Sequence, residues 1–302
     1  MRPAAASSSV SDSAGADLVL GYATGYGVDF IEAFVRSLRA VYSGPAALFV
    51  SDDPAVAAFL ADHDVEALRP MPSDEWTPQP VVARFADYAR VLAERPGVRD
   101  VLLTDVRDVV FQGAPFEPRA KGLEVFVEYE RNVLADHSFQ MKHLRAGVGR
   151  DLADQLKDHR CICAGTIVGP ADEAARLCRL ILVLGAIPKS AIGGGFGIDQ
   201  ASLAAAVGYG LIPADIQDNY RRVATVGLSL EGVGVVDGVI VNPDGGFSPV
   251  VHQYDRHENL VQAVRERWAT ATPDRVRTGP QGLDRLLAKL SASTGRRLPE
   301  LR

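Results

Sequence analysis

The chain has 302 residues, enough for one large α/β domain or two small ones, and 47% of them are hydrophobic, so a sizeable core is available. Lysine and arginine number 32 against 38 acidic residues, a formal charge of −6, with no basic concentration to serve nucleic acid. The three cysteines, Cys161, Cys163 and Cys178, are too few for a disulfide framework and lack zinc-site spacing, so they read as small buried residues in a reducing cytoplasm.

Residues 1–16 are rich in Ala and Ser without an apolar core segment. They are expected to be disordered and not a signal peptide. No apolar run approaches the roughly 18 residues of a membrane span. The stretch from Leu177 to Ile187 is interrupted by Arg179 and Gly185. A soluble, cytoplasmic protein is expected. Residues 17–270 are expected to form one domain, followed by a polar, partly helical tail over 271–302. No internal repeat is evident.

Asp17 to Ala23 reads as a first strand, with Thr24-Gly25-Tyr26-Gly27 as the loop at its end. Phe30, Ile31, Phe34, Val35, Leu38 and Val41 then fall at helical spacing. Ala46 to Val50 is a second strand. Asp53 is a suitable cap, and Pro54 a suitable first residue, for a helix to Asp62. Val65 to Leu68 is a short third strand. The opening is therefore βαβαβ, the first half of a nucleotide-binding sheet. After a Pro-rich connector, Trp76 to Pro80, a helix over Arg84 to Leu92 puts Phe85, Tyr88, Ala89 and Leu92 on one face.

The helix leads into the central stretch, Val98 to Phe116. Val101, Leu102 and Leu103 fit a strand buried on both faces, and the strand ends at Asp105-Val-Arg-Asp108. Two carboxylates at the end of a buried strand are costly unless something pairs them. A divalent cation, Mg²⁺ or Mn²⁺, suits oxygen ligands at this density. Arg99 and Arg107 are the competing partners.

Glu124 to Tyr129 alternates as a strand and directs Glu128 toward the same crevice or to solvent. Asp136 to Lys157 is mixed and polar, with a helix around Asp151 to Lys157. Cys161 to Gly169 is a further strand, containing Ala164 and Gly165, and Ala171 to Leu184 an apolar helix. A glycine cluster, Gly193 to Gly197, opens a helix at Asp199-Gln200. Read alone, Asp199 is an N-cap. Gly238 to Val241 and Pro249 to Tyr254 are two late strands, with His252 in the second and Arg256 after it. Glu258 to Trp268 is an amphipathic closing helix.

The order of these features resembles the GT-A nucleotide-sugar glycosyltransferases. The central stretch resembles their metal-binding segment, with Asp-x-x-Asp here in place of the usual Asp-x-Asp. The resemblance implies a single GT-A-like α/β domain with a mixed, mostly parallel sheet flanked by helices. It implies transfer of a sugar, hexosyltransferase-like, from a nucleotide-diphosphate sugar to an acceptor hydroxyl, assisted by Mn²⁺ or Mg²⁺. Thr24, Gly25 and Tyr26 would face the base and ribose, Arg84 and Arg256 the phosphates, and Ala164 and Gly165 the donor sugar. Cys163 stands where the family often has a sugar-facing Asn. Asp105, Asp108 and His252 would form the metal site, with Asp105 also available to the ribose. Asp199 would orient the acceptor, and Glu128 or Asp199 would serve as a base in an inverting reaction. A homo-oligomer is compatible with the sequence but not specified by it. Two other functions compete. A nucleotidyltransferase on a similar sheet would need a cation in the first loop, which this chain lacks. A non-catalytic nucleotide-sugar-binding protein would use the same cleft.

Overall fold

The computed structural model describes residues 15–71, 80–185 and 197–269. The connector residues 76–79, glycines 193–195 and the tail over 271–302 lie outside them, as does nearly all of the N-terminal segment; Ala16 already belongs to the first strand.

Twelve strands and eight α-helices are described. They are β1 (Ala16–Ala23), α1 (Val28–Val41), β2 (Ala46–Val50), α2 (Pro54–Ala61), β3 (Glu66–Leu68), α3 (Pro80–Glu94), β4 (Val98–Thr104), β5 (Val109–Phe111), β6 (Glu124–Val127), α4 (Ser138–Val148), α5 (Arg150–Gln155), β7 (Ile162–Pro170), α6 (Ala171–Gly185), α7 (Ile198–Gly208), β8 (Asp215–Gln217), β9 (Val223–Thr225), β10 (Gly234–Val236), β11 (Val239–Val241), β12 (Val250–His252) and α8 (Glu258–Trp268). The main sheet has seven strands in the order β3-β2-β1-β4-β7-β6-β8. Only β7 runs against the others, so the sheet is mixed and mostly parallel.

Strand alternation sorts the core into two layers. Leu18 and Leu20 of β1, with Val101 and Leu103 of β4, point to a layer closed by Phe85 and Tyr88 of α3 and Leu177 and Ile181 of α6. Val19 and Leu102 point to the opposite layer, closed by Ile31, Phe34 and Leu38 of α1 and Leu60 of α2. Each such side chain contributes roughly 1.5–3 kcal/mol on burial. As the sequence implies, the Asp53 carboxylate caps α2, accepting from the amides of Ala55 at 2.8 Å and Val56 at 3.3 Å.

A second sheet, β5-β12-β9, carries the late residues to the front of the first. Val109, Phe111 and Val250 face the α1 layer, while Val110 and Val251 face Leu260 and Val264 of α8. Ser37 ties this sheet to α1: its buried hydroxyl donates to Phe34 O at 3.1 Å and accepts from Phe111 N at 3.0 Å.

Four local expectations change. Helix α3 starts at Pro80, so Arg84 sits in its second turn and escapes the unfavourable first-turn position. A helix, α4, occupies Ser138–Val148, where only mixed polar sequence was legible. Strands β8, β9 and β10, three residues each, are too short to show a period. Gly197, at φ +88°, is the N-cap of α7, and Asp199 is a first-turn residue rather than the cap. Among the described residues no helix is long and apolar enough to cross a membrane.

Ser37→Ala should cost about 1–3 kcal/mol, because it leaves the buried Phe111 amide without an acceptor. Urea denaturation should show a lower midpoint at unchanged slope. An unchanged midpoint would mean that water or a shifted backbone group satisfies the amide.

Candidate metal centre and its cleft

Two strand pairings assemble the centre. In the first, β4 and β7 pair up to Thr104↔Thr166, and one residue beyond, Asp105 N donates to Gly165 O at 2.7 Å. In the second, β12 lies antiparallel to β5 with His252 opposite Val109, and Gln253 N donates to Asp108 O at 2.7 Å. His252 thereby arrives beside Asp108 although 144 positions separate them in the chain.

One ligating atom from each of Asp105, Asp108 and His252 lies within 4.8 Å of the others. His252 Nε2 stands 3.4 Å from Asp105 Oδ2 and 3.9 Å from Asp108 Oδ2. That nitrogen is buried and has no hydrogen-bond partner among the described residues. The two distances from His252 lie within about 1 Å of the spacing of about 3 Å that a cation bound at about 2.1 Å imposes on neighbouring ligands. Two carboxylates suit a hard divalent ion, and the imidazole moves the preference from Mg²⁺ toward Mn²⁺. The residues fit such an ion.

Behind the ring, Cys163 Sγ lies 3.9 Å from His252 Nδ1, and Gln253 Nε2 donates to the same sulfur at 3.8 Å. A proton on Nδ1 leaves Nε2 as the ligating atom. The Cys163 thiol is pushed up by burial, against the pull of His252. Cys163 thus backs the histidine and is not among the residues that line the cleft.

Gly165 makes room for the cluster. A Cβ there would stand 2.2 Å from His252 Cε1 and 2.7 Å from Asp105 Oδ2. Strand β7 also breaks its ladder here: its register with β6 jumps from Val125↔Ile167 to Phe126↔Cys163, so residues 164–166 bulge from that pairing.

Arg84 is 8% exposed and joins two carboxylates. It donates to Asp105, to Asp199 Oδ2 at 2.8 Å and to Ala164 O at 3.2 Å. Burial works against its charge, but Asp105 and Asp199 outweigh burial and raise its pKa. Burial would raise Asp105, yet Arg84 and His252 hold it well below the usual carboxylate range. Burial pushes Asp108 up; His252 pulls against it, while Asp105 and Asp255 add to the rise. Asp199 is also raised, by burial first, with Arg84 opposing.

The centre opens into a cavity of about 750 Å³. Of the residues singled out in the sequence, Thr24, Tyr26, Arg84, Asp105, Asp108, Glu128, Ala164, Gly165, Asp199 and Arg256 line it. His252 lies buried beneath, at 1% exposure. Gly25 does not line the cavity: at φ +81° it is a turn residue whose amide donates to Ser51 Oγ at 2.8 Å. The structure adds Tyr22, His137, Phe139 and Gln140 to the lining, and the ion pair of Arg107 with Asp255 at 2.7 Å. His137, Phe139 and Gln140 precede or open α4, whose polar sequence carried no motif to mark them.

Comparison with models of known protein families finds no match, and comparison with curated proteins finds no related sequence.

Gly165→Ala should cut Mn²⁺ affinity at least tenfold, about 1.4 kcal/mol, while the main sheet stays folded. Isothermal calorimetry with circular dichroism checks both, and undiminished Mn²⁺ affinity would show that the cluster tolerates the methyl group. The pH dependence has opposite signs with and without metal. His252 is held above its ordinary value: burial opposes its charge, but Cys163, Asp105 and Asp108 outweigh burial. Without metal, its protonation stabilises the fold. That contribution is complete below about pH 6.5 and is lost as pH rises through the raised value. Metal competes with the proton for Nε2, so Mn²⁺ affinity should climb over the same window. Melting temperatures measured across pH with and without Mn²⁺ should diverge, and His252→Ala should abolish the divergence. Parallel curves for the wild-type chain would contradict the assignment.

Proposed function

We propose that the chain is a metal-assisted glycosyltransferase of the GT-A kind, which transfers a sugar from a nucleotide-diphosphate sugar to an acceptor hydroxyl. The observation that carries this reading is the convergence of Asp105, Asp108 and His252 at the carboxyl end of β4, in the crevice of an open α/β sheet. Ligands bind in such crevices, outside the carboxyl ends of the strands. The cleft is also lined by two cationic side chains, Arg84 and Arg256, which this reading assigns to the phosphates.

A divalent ion bound at the cluster would supply Lewis-acid stabilisation of diphosphate oxygens. The chain's own residues do the rest. Asp105 and Asp108 stay ionised when paired with the ion, and His252 presents Nε2. Arg84 holds a permanent charge between Asp105 and Asp199, so it fixes both carboxylates before any donor arrives. Thr24 and Tyr26 border the side of the cleft reached from β1 and form the nucleoside end. Of the two carboxylates named as bases, Asp199 is engaged by the Arg84 guanidinium at 2.8 Å. Glu128 is bonded through Oε2 by the side-chain amides of Gln140 and Gln200, with no guanidinium among the described residues committed to it, and is the carboxylate this reading assigns as base. The same reading places the chain in the cytoplasm and is compatible with a homo-oligomer.

Calorimetric titration with UDP-, GDP-, dTDP- and ADP-sugars, with and without Mn²⁺, tests it. One donor should bind only with Mn²⁺ and be slowly hydrolysed, and Asp108→Asn should weaken that binding at least tenfold with the fold intact. If no donor gains affinity from Mn²⁺, the reading fails.

A further inference from the structure

One end of the cleft is built from groups that metal and diphosphate do not use. Glu128 follows β6, is 5% exposed and lines the cavity. Gln140 of α4 donates to its Oε2 at 3.1 Å, and Gln200 of α7 donates to the same oxygen at 2.7 Å. His137 Nε2 stands 3.7 Å from that oxygen too. All three contacts converge on Oε2, and no described residue bonds Oε1. Gln140 is 2% exposed and lines the cavity, and its own Oε1 has no partner among the described residues. A buried amide oxygen without a donor is costly, and such groups need an explanation.

We propose that this end of the cleft is an acceptor subsite for a neutral ring bearing two adjacent hydroxyls, a pyranoside or similar cyclic polyol. Glu128 Oε1 and Gln140 Oε1 are two hydrogen-bond acceptors held by one amide link, so they match a pair of O–H donors. One hydroxyl on Glu128 is poised to lose its proton; the second, on Gln140, fixes the orientation of the ring. Phe139, next in the chain to Gln140, also lines the cavity and is 43% exposed, with its ring packed on His143 at 4.4 Å between centroids. A pyranose has an apolar face of C–H groups, and an exposed aromatic ring beside two acceptors offers the matching surface. The carboxylates of Glu128 and Asp199 disfavour an anionic acceptor. A lone hydroxyl, such as a serine side chain, would satisfy one oxygen and leave the other unmatched.

The link to the metal centre is continuous. His252 approaches Asp105, Asp105 and Asp199 share Arg84, and Gln200, adjacent to Asp199, holds Glu128. The two ends of the cleft are therefore positioned against each other through paired groups. The catalytic role of this subsite rests on the glycosyl-transfer reading, but its binding chemistry does not.

The test uses the full chain without donor or metal. Saturation-transfer NMR is recorded with methyl glucopyranoside, methyl galactopyranoside and methyl mannopyranoside, and with cyclohexanol and N-acetylserinamide as single-hydroxyl controls. At least one methyl glycoside should bind, and neither control should displace it. Gln140→Leu and Phe139→Ala should each weaken that binding at least tenfold while Mn²⁺ affinity, measured in the same preparations, stays unchanged. Phe139 is exposed, so its variant keeps the test sound if Gln140→Leu does not fold. If no methyl glycoside binds, if the controls compete equally, or if glycoside affinity survives in Phe139→Ala, the subsite is wrong. Loss of Mn²⁺-dependent donor binding by the wild-type chain would instead sink the parent reading, and glycoside binding lost in the variants would still support the subsite.

Discussion

Asp105, Asp108 and Asp199 crowd one cleft, and three carboxylates can share it only if positive charge sits between them. Arg84 is that charge for two of the three, reaching Asp105 and Asp199 from the second turn of α3. His252 stands between Asp105 and Asp108 from below. Removing one partner from such a buried set leaves an uncompensated charge, which costs several times what an exposed ion pair contributes. The cleft is therefore organised before any ligand enters. The same pairing separates the carboxylates: Arg84 engages Asp199, while Glu128 is held by the amides of Gln140 and Gln200 with His137 nearby.

Backbone register holds this arrangement in place. The antiparallel pair β4–β7 sets Gly165 against Asp105, and the antiparallel pair β12–β5 sets His252 against Asp108. A slip of one residue in either would turn the ligand to the other face. Apolar packing guards against the slip. Val109, Phe111 and Val250 anchor one face of the small sheet, and Val110 and Val251 anchor the other. The cluster is in this sense an end product of apolar packing on both faces of β5 and β12.

Much of this was legible in the chain. The apolar runs of β1 and β4, the 3.6-residue spacing of α1 and the Asp53-Pro54 start of α2 specify the first half-sheet without structural help. Asp105 and Asp108 declare themselves because carboxylates at the end of a buried strand need a partner. His252 was legible only through the order of motifs, since nothing local distinguishes it from an ordinary strand-end histidine. Arg84 was visible as a candidate, but its bonds span 21 and 115 positions and no local pattern encodes them. Gly165 stood in the sequence as a strand residue beside Ala164, and the distance to His252 identifies what its missing side chain makes room for. His137 and Gln140 were missed for a different reason. Helix α4 has no side-chain cap and a weak apolar face, so neither its start nor its inward residues could be read. Gly25 takes a left-handed turn conformation and bonds Ser51 Oγ through its amide, a role that the loop's composition alone did not specify.

The central claim is that Asp105, Asp108 and His252 hold one divalent ion. Anomalous diffraction at the manganese edge, from crystals grown with Mn²⁺ and a nucleoside diphosphate, addresses it most directly. The account predicts a single anomalous peak within about 2.2 Å of His252 Nε2 and of one oxygen from each aspartate. A peak elsewhere in the cleft, or one at the aspartates with His252 still hydrogen-bonded to protein alone, would contradict it.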